Sequence, residues 1–369
     1  MQISKSDVIK VLFLLACVIG IGVAVVNIFV QMPIENTSLG IDYIFDRMRG
    51  GDIRYEVVNG LRNPPWSAIF FMPLADLNMR VAWGIWAYIT LLILGLAVPI
   101  TKRKWLYVLS VVLMLTSFPT FRVLADVQID AQVIAGVLLI AYAMPRQNPY
   151  WLTLGALWAT AKPQSVFLFI PFVALEMLRS WKRRNLFIAI GLTLAVVVPL
   201  SIWKGREWWA ALNGTYQAGS LIDMSITAAL NRMEFVPSPV IFMIWAFILL
   251  ASVGISLLTA QAITREKATF LIAASLLLAP YSASNSVIII LAVGALVLLQ
   301  KQFALGLGLF FIADIFTPFN RAEFVNIYSY YWTFFLLVSW VMFGAVLWRE
   351  RHALTPDSAE NLAPHPDGA

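Results

Sequence analysis

Apolar windows long enough to cross a bilayer recur along almost the whole chain. They fall near 9–30, 80–100, 105–121, 130–145, 149–162, 164–178, 185–203, 238–260, 268–283, 286–300, 303–318 and 327–348. Hydrocarbon offers no partner to a backbone N–H or C=O, so a segment of this kind must close its hydrogen bonds internally as a helix. The expected fold is all-α: a polytopic membrane protein of about twelve transmembrane helices, or about 11 to 13 where a proline divides a run. Composition agrees with this. Hydrophobic residues make up 60% of the 369 and charged residues 12%, with a mean hydropathy of +0.81, too little polar surface to coat a soluble globule. No small-residue cleavage site follows the first window, which reads as a retained helix and not a signal peptide.

The net charge of +6 would suggest a nucleic-acid partner in a soluble protein. Here the basic residues sit between apolar windows, as topology signals do, and no nucleic-acid partner is expected. Lys102-Arg103-Lys104, Arg179 with Lys182-Arg183-Arg184, Arg265 with Lys267, and Arg349 with Arg351 fall on alternate connections, on the side of Lys5 and Lys10. The positive-inside rule then places both termini in the cytoplasm. The acids gather on the opposite side. Residues 1–350 are expected to form one transmembrane domain whose outer loops, 31–78 and 204–237, make the working face; residues 351–369 form a polar, disordered cytoplasmic tail. Cys17 lies inside the first window, so no intrachain disulfide forms. His352 and His365 fall in the tail, which argues against imidazole catalysis and a His-ligated metal; no metal and no cofactor are expected.

The first outer loop carries Asp42, Asp46 and Asp52 with Arg47, Arg49, Arg54 and Arg62 ahead of Pro64, a composition suited to an anionic substrate. Pro64-Pro65-Trp66 opens an apolar run over 67–77, too short to span and read as an interfacial helix. Asp42, just beyond the first window, is placed to accept a proton from a hydroxyl, or to cap a helix or pair with Arg47 or Arg49. Lys162, followed by Pro163 in an otherwise apolar stretch, needs an anionic partner; a bound phosphate and the carboxyl end of its own helix both answer that need. Arg122, Asp126 and Asp130 are spaced by four, on one face of a helix with Gln128 turned away, and serve equally as caps and pairs. Asp314 requires a partner that the sequence does not name. Asp223 and Ser225 open a helix that reaches Arg232.

Several segments together resemble glycosyltransferase family 87, the polyprenol-phosphate-mannose-dependent branch of the GT-C superfamily. They are Asp42-Tyr43, NPPWSAIFFMPLADL, VQIDAQVIAGVLLIAYA, AKPQSVFLFIPFVAL, DMSITAALNRM and LLLAPYSASNSVIIIL. The order holds from the first loop to about Leu299. Two positions depart from the family pattern: Val127-Gln128 stands where Gly-Gln is usual, and Asp223 where asparagine is common. The resemblance implies Asp42 as general base and Lys162, with Arg122, as ligands of the sugar donor's phosphate. Tyr43, Asp46, Arg49, Asp52, Trp66, Gln128, Asp130, Asp223, Ser225 and Asp314 make up the wider substrate surface. The implied activity is transfer of a sugar, mannose by the resemblance, from a polyprenyl-phosphate carrier to a glycolipid or glycan acceptor, with inversion. The implied setting is a bacterial plasma membrane, among membrane lipids, with the site facing outward. The competing class is a transporter or lipid flippase, which needs polar residues near the midplane and on both sides. A structural subunit without chemistry leaves the acidic outer loops unexplained.

Overall fold

The computed structural model describes residues 5–31, 45, 47–55, 63–214, 223–259, 262–315 and 325–353. Asp42, Tyr43 and Asp46, with the tail beyond residue 353, lie outside the described residues. All twelve apolar windows carry helix, and among the described residues the β pairing is an isolated bridge between Asp223 and Ala283. The protein is an all-α polytopic membrane protein. Met79–Ala97, Arg183–Asn213, Ser238–Leu258, Ser284–Lys301 and Ser329–Arg351 are each long and apolar enough to cross a membrane unaided. Lys104–Thr116 and Phe118–Ala125 are together long and apolar enough for a span and are bent by 45° where Ser117 caps the second piece, the geometry of a broken span or a re-entrant loop.

Helix starts are written locally. Asn148 accepts from the N–H groups of Tyr150 and Trp151 with Pro149 at the first position, Asn78 caps at Arg80, and Thr264 caps at Lys267. The interfacial run begins as expected at Pro65, as three short pieces, Pro65–Ala68, Ile69–Phe71 and Met72–Ala75. The second outer segment is shorter than expected from sequence. The helix Arg183–Gly214 continues through residues 204–214, because no proline or glycine interrupts it between Gly205 and Gly214.

Arg265–Leu278 and the pieces from Val287 to Lys301 form the centre: 78% of the apolar window in Ser284–Lys301 is buried, against 6% in Arg183–Asn213, which faces outward along its length. Asp130–Arg146 and Pro149–Ala159 cross with their backbones in contact. A Cβ on Gly136 would lie 2.2 Å from Ala159 N, and one on Gly155 would lie 2.9 Å from Gly136 O. Glycine is required there because lipid supplies no hydrophobic drive between helices, so close backbone approach holds the pair together.

The connections sort into two sets at opposite ends. At one end Trp83 Nε1 donates to Leu124 O at 2.8 Å, Asn63 Nδ2 to Ala161 O at 2.9 Å and Met224 N to Ser282 O at 2.9 Å. At the other, Arg265 donates to Ala97 O at 2.8 Å, Gln300 to Pro99 O at 2.6 Å and Gln147 to Ser180 O at 2.9 Å. These are the two groups that the alternation of basic connections separates in the sequence.

Candidate active site

The centre of the acid-rich end is a break in the chain. Pro149–Ala159 stops at Thr160, and Pro163 starts the next short helix, leaving Lys162 extended between them at φ −120° and ψ 86°. Its side chain turns into the bundle. Nζ donates to Asp130 Oδ2 at 2.6 Å and to Gln128 Oε1 at 3.1 Å, while Asp130 Oδ1 accepts from Ser286 Oγ at 2.9 Å. Lys162 is 7% exposed and Asp130 is fully buried. Further hydrogen bonds offset part of the cost of burying such a pair: Ser286 donates to the second Asp130 oxygen and Gln128 accepts a second Lys162 proton. Lys162 is thus not a cap on its own helix.

The spacing of Arg122, Asp126 and Asp130 does not produce one helical face. Phe118–Ala125 ends at Asp126, Val127 takes φ +47°, and a new helix starts at Asp130. The reversal leaves Arg122 Nη2 on Asp126 Oδ2 at 2.9 Å and sends Asp130 to Lys162. It also brings Gln128 toward Lys162, not away from it, while Trp86 Nε1 holds the Gln128 carbonyl at 3.0 Å. Asp130 sits in the first turn without capping it. Asn285 lies beside the Asp126 carboxylate and its neighbour Ser286 donates to Asp130, so the two ion pairs share a wall formed by Asn285 and Ser286.

Described residues of the loop after the first helix pack against this break. Asn63 reaches Ala161 O, Tyr55 Oη donates to Asn63 O at 2.7 Å, and Trp66 Nε1 donates to Thr160 Oγ1 at 3.0 Å. Burial, and secondarily Glu207, pushes the Tyr55 phenol up, which keeps it a donor. Trp66 meets Trp208 edge to face at 5.5 Å. Lys204 joins Asp52 at 3.0 Å and Glu207 at 3.0 Å, both carboxylates being about half exposed. Arg49 lies by Ala75 O and Gly50 N by Asp76, on the interfacial helices.

Asp223 is buried and serves the framework. Its Oδ1 accepts from Ser225 N at 2.9 Å and Ser282 N at 3.0 Å, while its carbonyl accepts from Arg232 and Ser329. Burial pushes its carboxyl up, against the pull of those hydrogen bonds. Ser225 caps the helix Ile226–Asn231, while Asp223 and the Met224 N–H tie this segment to Ser282. Asp314 Oδ1 accepts from Phe118 N at 2.7 Å, capping the helix that presents Arg122.

The structure therefore brings together Lys162, Asp130, Gln128 and, beside them, Arg122. It sets Trp66 and Asp52 in the covering loop, and gives Asp223, Ser225 and Asp314 supporting contacts. Sequence reasoning singled out neither Asn285 and Ser286, whose signal is the run of small polar residues after Pro280, nor Asn63, which opens the NPPW run. Among the described residues no group of three His, Cys, Asp or Glu is placed to hold a metal. Two surface grooves, of about 460 Å³ at Ile100–Val108 and about 580 Å³ near Val30 and Arg80, lie apart from this cluster.

The model of glycosyltransferase family 87 matches residues 62–283, more than half of the chain. That span holds Trp66, Arg122, Gln128, Asp130, Lys162, Asp223 and Ser225, and begins after Asp42 and Tyr43. No curated protein and no solved structure matches the chain.

Proposed function

We propose, from the premise that the chain belongs to glycosyltransferase family 87 and is a membrane glycosyltransferase, that its sugar donor is a polyprenyl-phosphate sugar whose phosphate binds at Lys162. The observation that carries this is the donor count around two buried cations. The Lys162 ammonium has three protons and two acceptors, Asp130 and Gln128. Arg122 spends one side of its guanidinium on Asp126 and keeps a buried Nε without an acceptor. Each cation faces one carboxylate and each retains an N–H for a further anion.

In the reaction we infer, attack at the anomeric carbon by an acceptor hydroxyl breaks the bond to the phosphate. Lys162 and Arg122 offset the charge gathering on the departing phosphate. Asp42, on the first outer loop, takes the acceptor's proton. A single displacement inverts the anomeric centre. The leaving group is already a good one, so this scheme calls for no metal. The sugar is mannose and the acceptor a glycolipid or glycan on this reading, and the acid-rich end faces out of a bacterial plasma membrane, as the basic connections at the other end favour.

The test is binding and transfer in lipid nanodiscs with a polyprenyl-phosphate mannose. Lys162→Met is expected to lose sugar-donor binding together with transfer. Unchanged binding in that variant, with the protein folded, overturns the assignment of the phosphate to Lys162.

A further inference from the structure

Two buried polar atoms beside Lys162 lack partners, and they need opposite things. Arg122 Nε is a donor without an acceptor, and Asn285 Oδ1 is an acceptor without a donor. Both side chains lie at Asp126, Arg122 bonded through Nη2 at 2.9 Å and Asn285 with its carboxamide beside the carboxylate. An ionised carboxylate only accepts, so Asn285 presents its amide nitrogen to Asp126 and turns its oxygen elsewhere. At 8% exposure Asn285 is not hydrated from bulk, and a buried acceptor left unmet is costly. Its chain neighbour Ser286 donates to the Asp130 that holds Lys162, so the orphan oxygen belongs to the same wall as the cations.

An anion answers only half of this arrangement. A phosphodiester satisfies Lys162 and Arg122 but has no proton to give, and Asn285 Oδ1 still needs an O–H or N–H. In a lipid-phosphate sugar the group next to the phosphate is a ring of hydroxyls, which donate as well as accept. We propose that the Asn285 carboxamide oxygen accepts a hydrogen bond from a hydroxyl of the donor sugar. Asn285, oriented by Asp126, is then the sugar-reading element of a site whose phosphate-reading element is Lys162. The inference rests on the phosphate reading of Lys162. It makes Asn285 a specificity determinant and not a member of the bond-making machinery.

The experiment compares two ligands on the full chain in nanodiscs: polyprenyl-phosphate mannose, and polyprenyl methyl phosphate, a diester of the same charge with no sugar. The wild type is expected to bind the sugar-bearing diester about tenfold or more tighter, the scale of one buried hydrogen bond. Asn285→Leu is expected to abolish that preference, so that the two diesters bind alike even where both bind more weakly than to the wild type, with thermal unfolding reporting that the variant is folded. Monodeoxy mannose donors on the wild type supply a test that needs no variant, with one of them expected to lose about tenfold. A preference that survives Asn285→Leu, or a deoxy series with no loss at any position, overturns the proposal. Failure of the wild type to bind either diester instead removes the phosphate reading beneath it, so the two failures are distinct.

Discussion

Lys162 Nζ stands 2.6 Å from Asp130 Oδ2, joining the break after one helix to the first turn of the helix before it. The pair can form because Gly136 and Gly155 let those two helices touch along their backbones. A buried ion pair is weak evidence of stability, since desolvation consumes much of its attraction, yet removing one partner alone is severe.

That asymmetry separates function from stability. Lys162→Met alone strands the Asp130 carboxylate and is expected to cost about 3–5 kcal/mol. The double variant Lys162→Met with Asp130→Asn removes both charges and is expected to recover most of that loss in detergent unfolding while transfer stays absent. Full activity in the double variant shows that the pair serves only the fold.

Gly136→Ala places a methyl group 2.2 Å from Ala159 N, and backbone cannot yield as a flexible side chain does. The expected effect is about 1–3 kcal/mol of destabilisation with a matching loss of transfer, because the Lys162 break is pushed off Asp130. Gly191→Ala, where a Cβ meets nothing within 4 Å, is the control and is expected to be neutral. Thermal unfolding of the three proteins decides between these outcomes.

Asp42→Asn keeps the side chain's shape and removes its basicity. Loss of a positioned base typically costs about a hundred- to ten-thousand-fold in rate, and sugar-donor binding is expected to survive, since the carboxylate is not the phosphate's partner. Turnover within a few-fold of the parent, with Asp46→Asn or Asp52→Asn inactive, moves the base to another acid of the same loop.

The sidedness is testable with thiol reagents, since Cys17 is the chain's only cysteine and is replaceable by serine. Cysteines at positions 52 and 215 are expected to label in intact cells. Those at 103 and 182 are expected to label only after permeabilisation. Labelling in the reverse pattern turns the candidate site to the cytoplasm.

The helical class, the run of twelve apolar windows and the division of connections into two ends are legible in the sequence. Each follows from chemistry that acts within a segment. An apolar run in lipid must satisfy its own backbone, a proline or an Asn cap sets its start, and lysines and arginines mark one side. Lys162 also stood out locally, as a cation that such a segment cannot hold without a partner. Its partner was not legible. The four-residue spacing suggested one helical face for Arg122, Asp126 and Asp130, but Val127 at φ +47° ends that helix, and Gln128 comes round to Lys162. Likewise Asp130 meets Ser286 across 156 positions, and Asp314 caps at Phe118 across 196. Pairings over such distances depend on which helices lie side by side, and that is decided by close backbone contact at glycines and by burial of polar groups that only one arrangement satisfies. The sequence by itself determined that this chain crosses a membrane and that a cation such as Lys162 needs a partner there; the tertiary structure alone decided which charges meet.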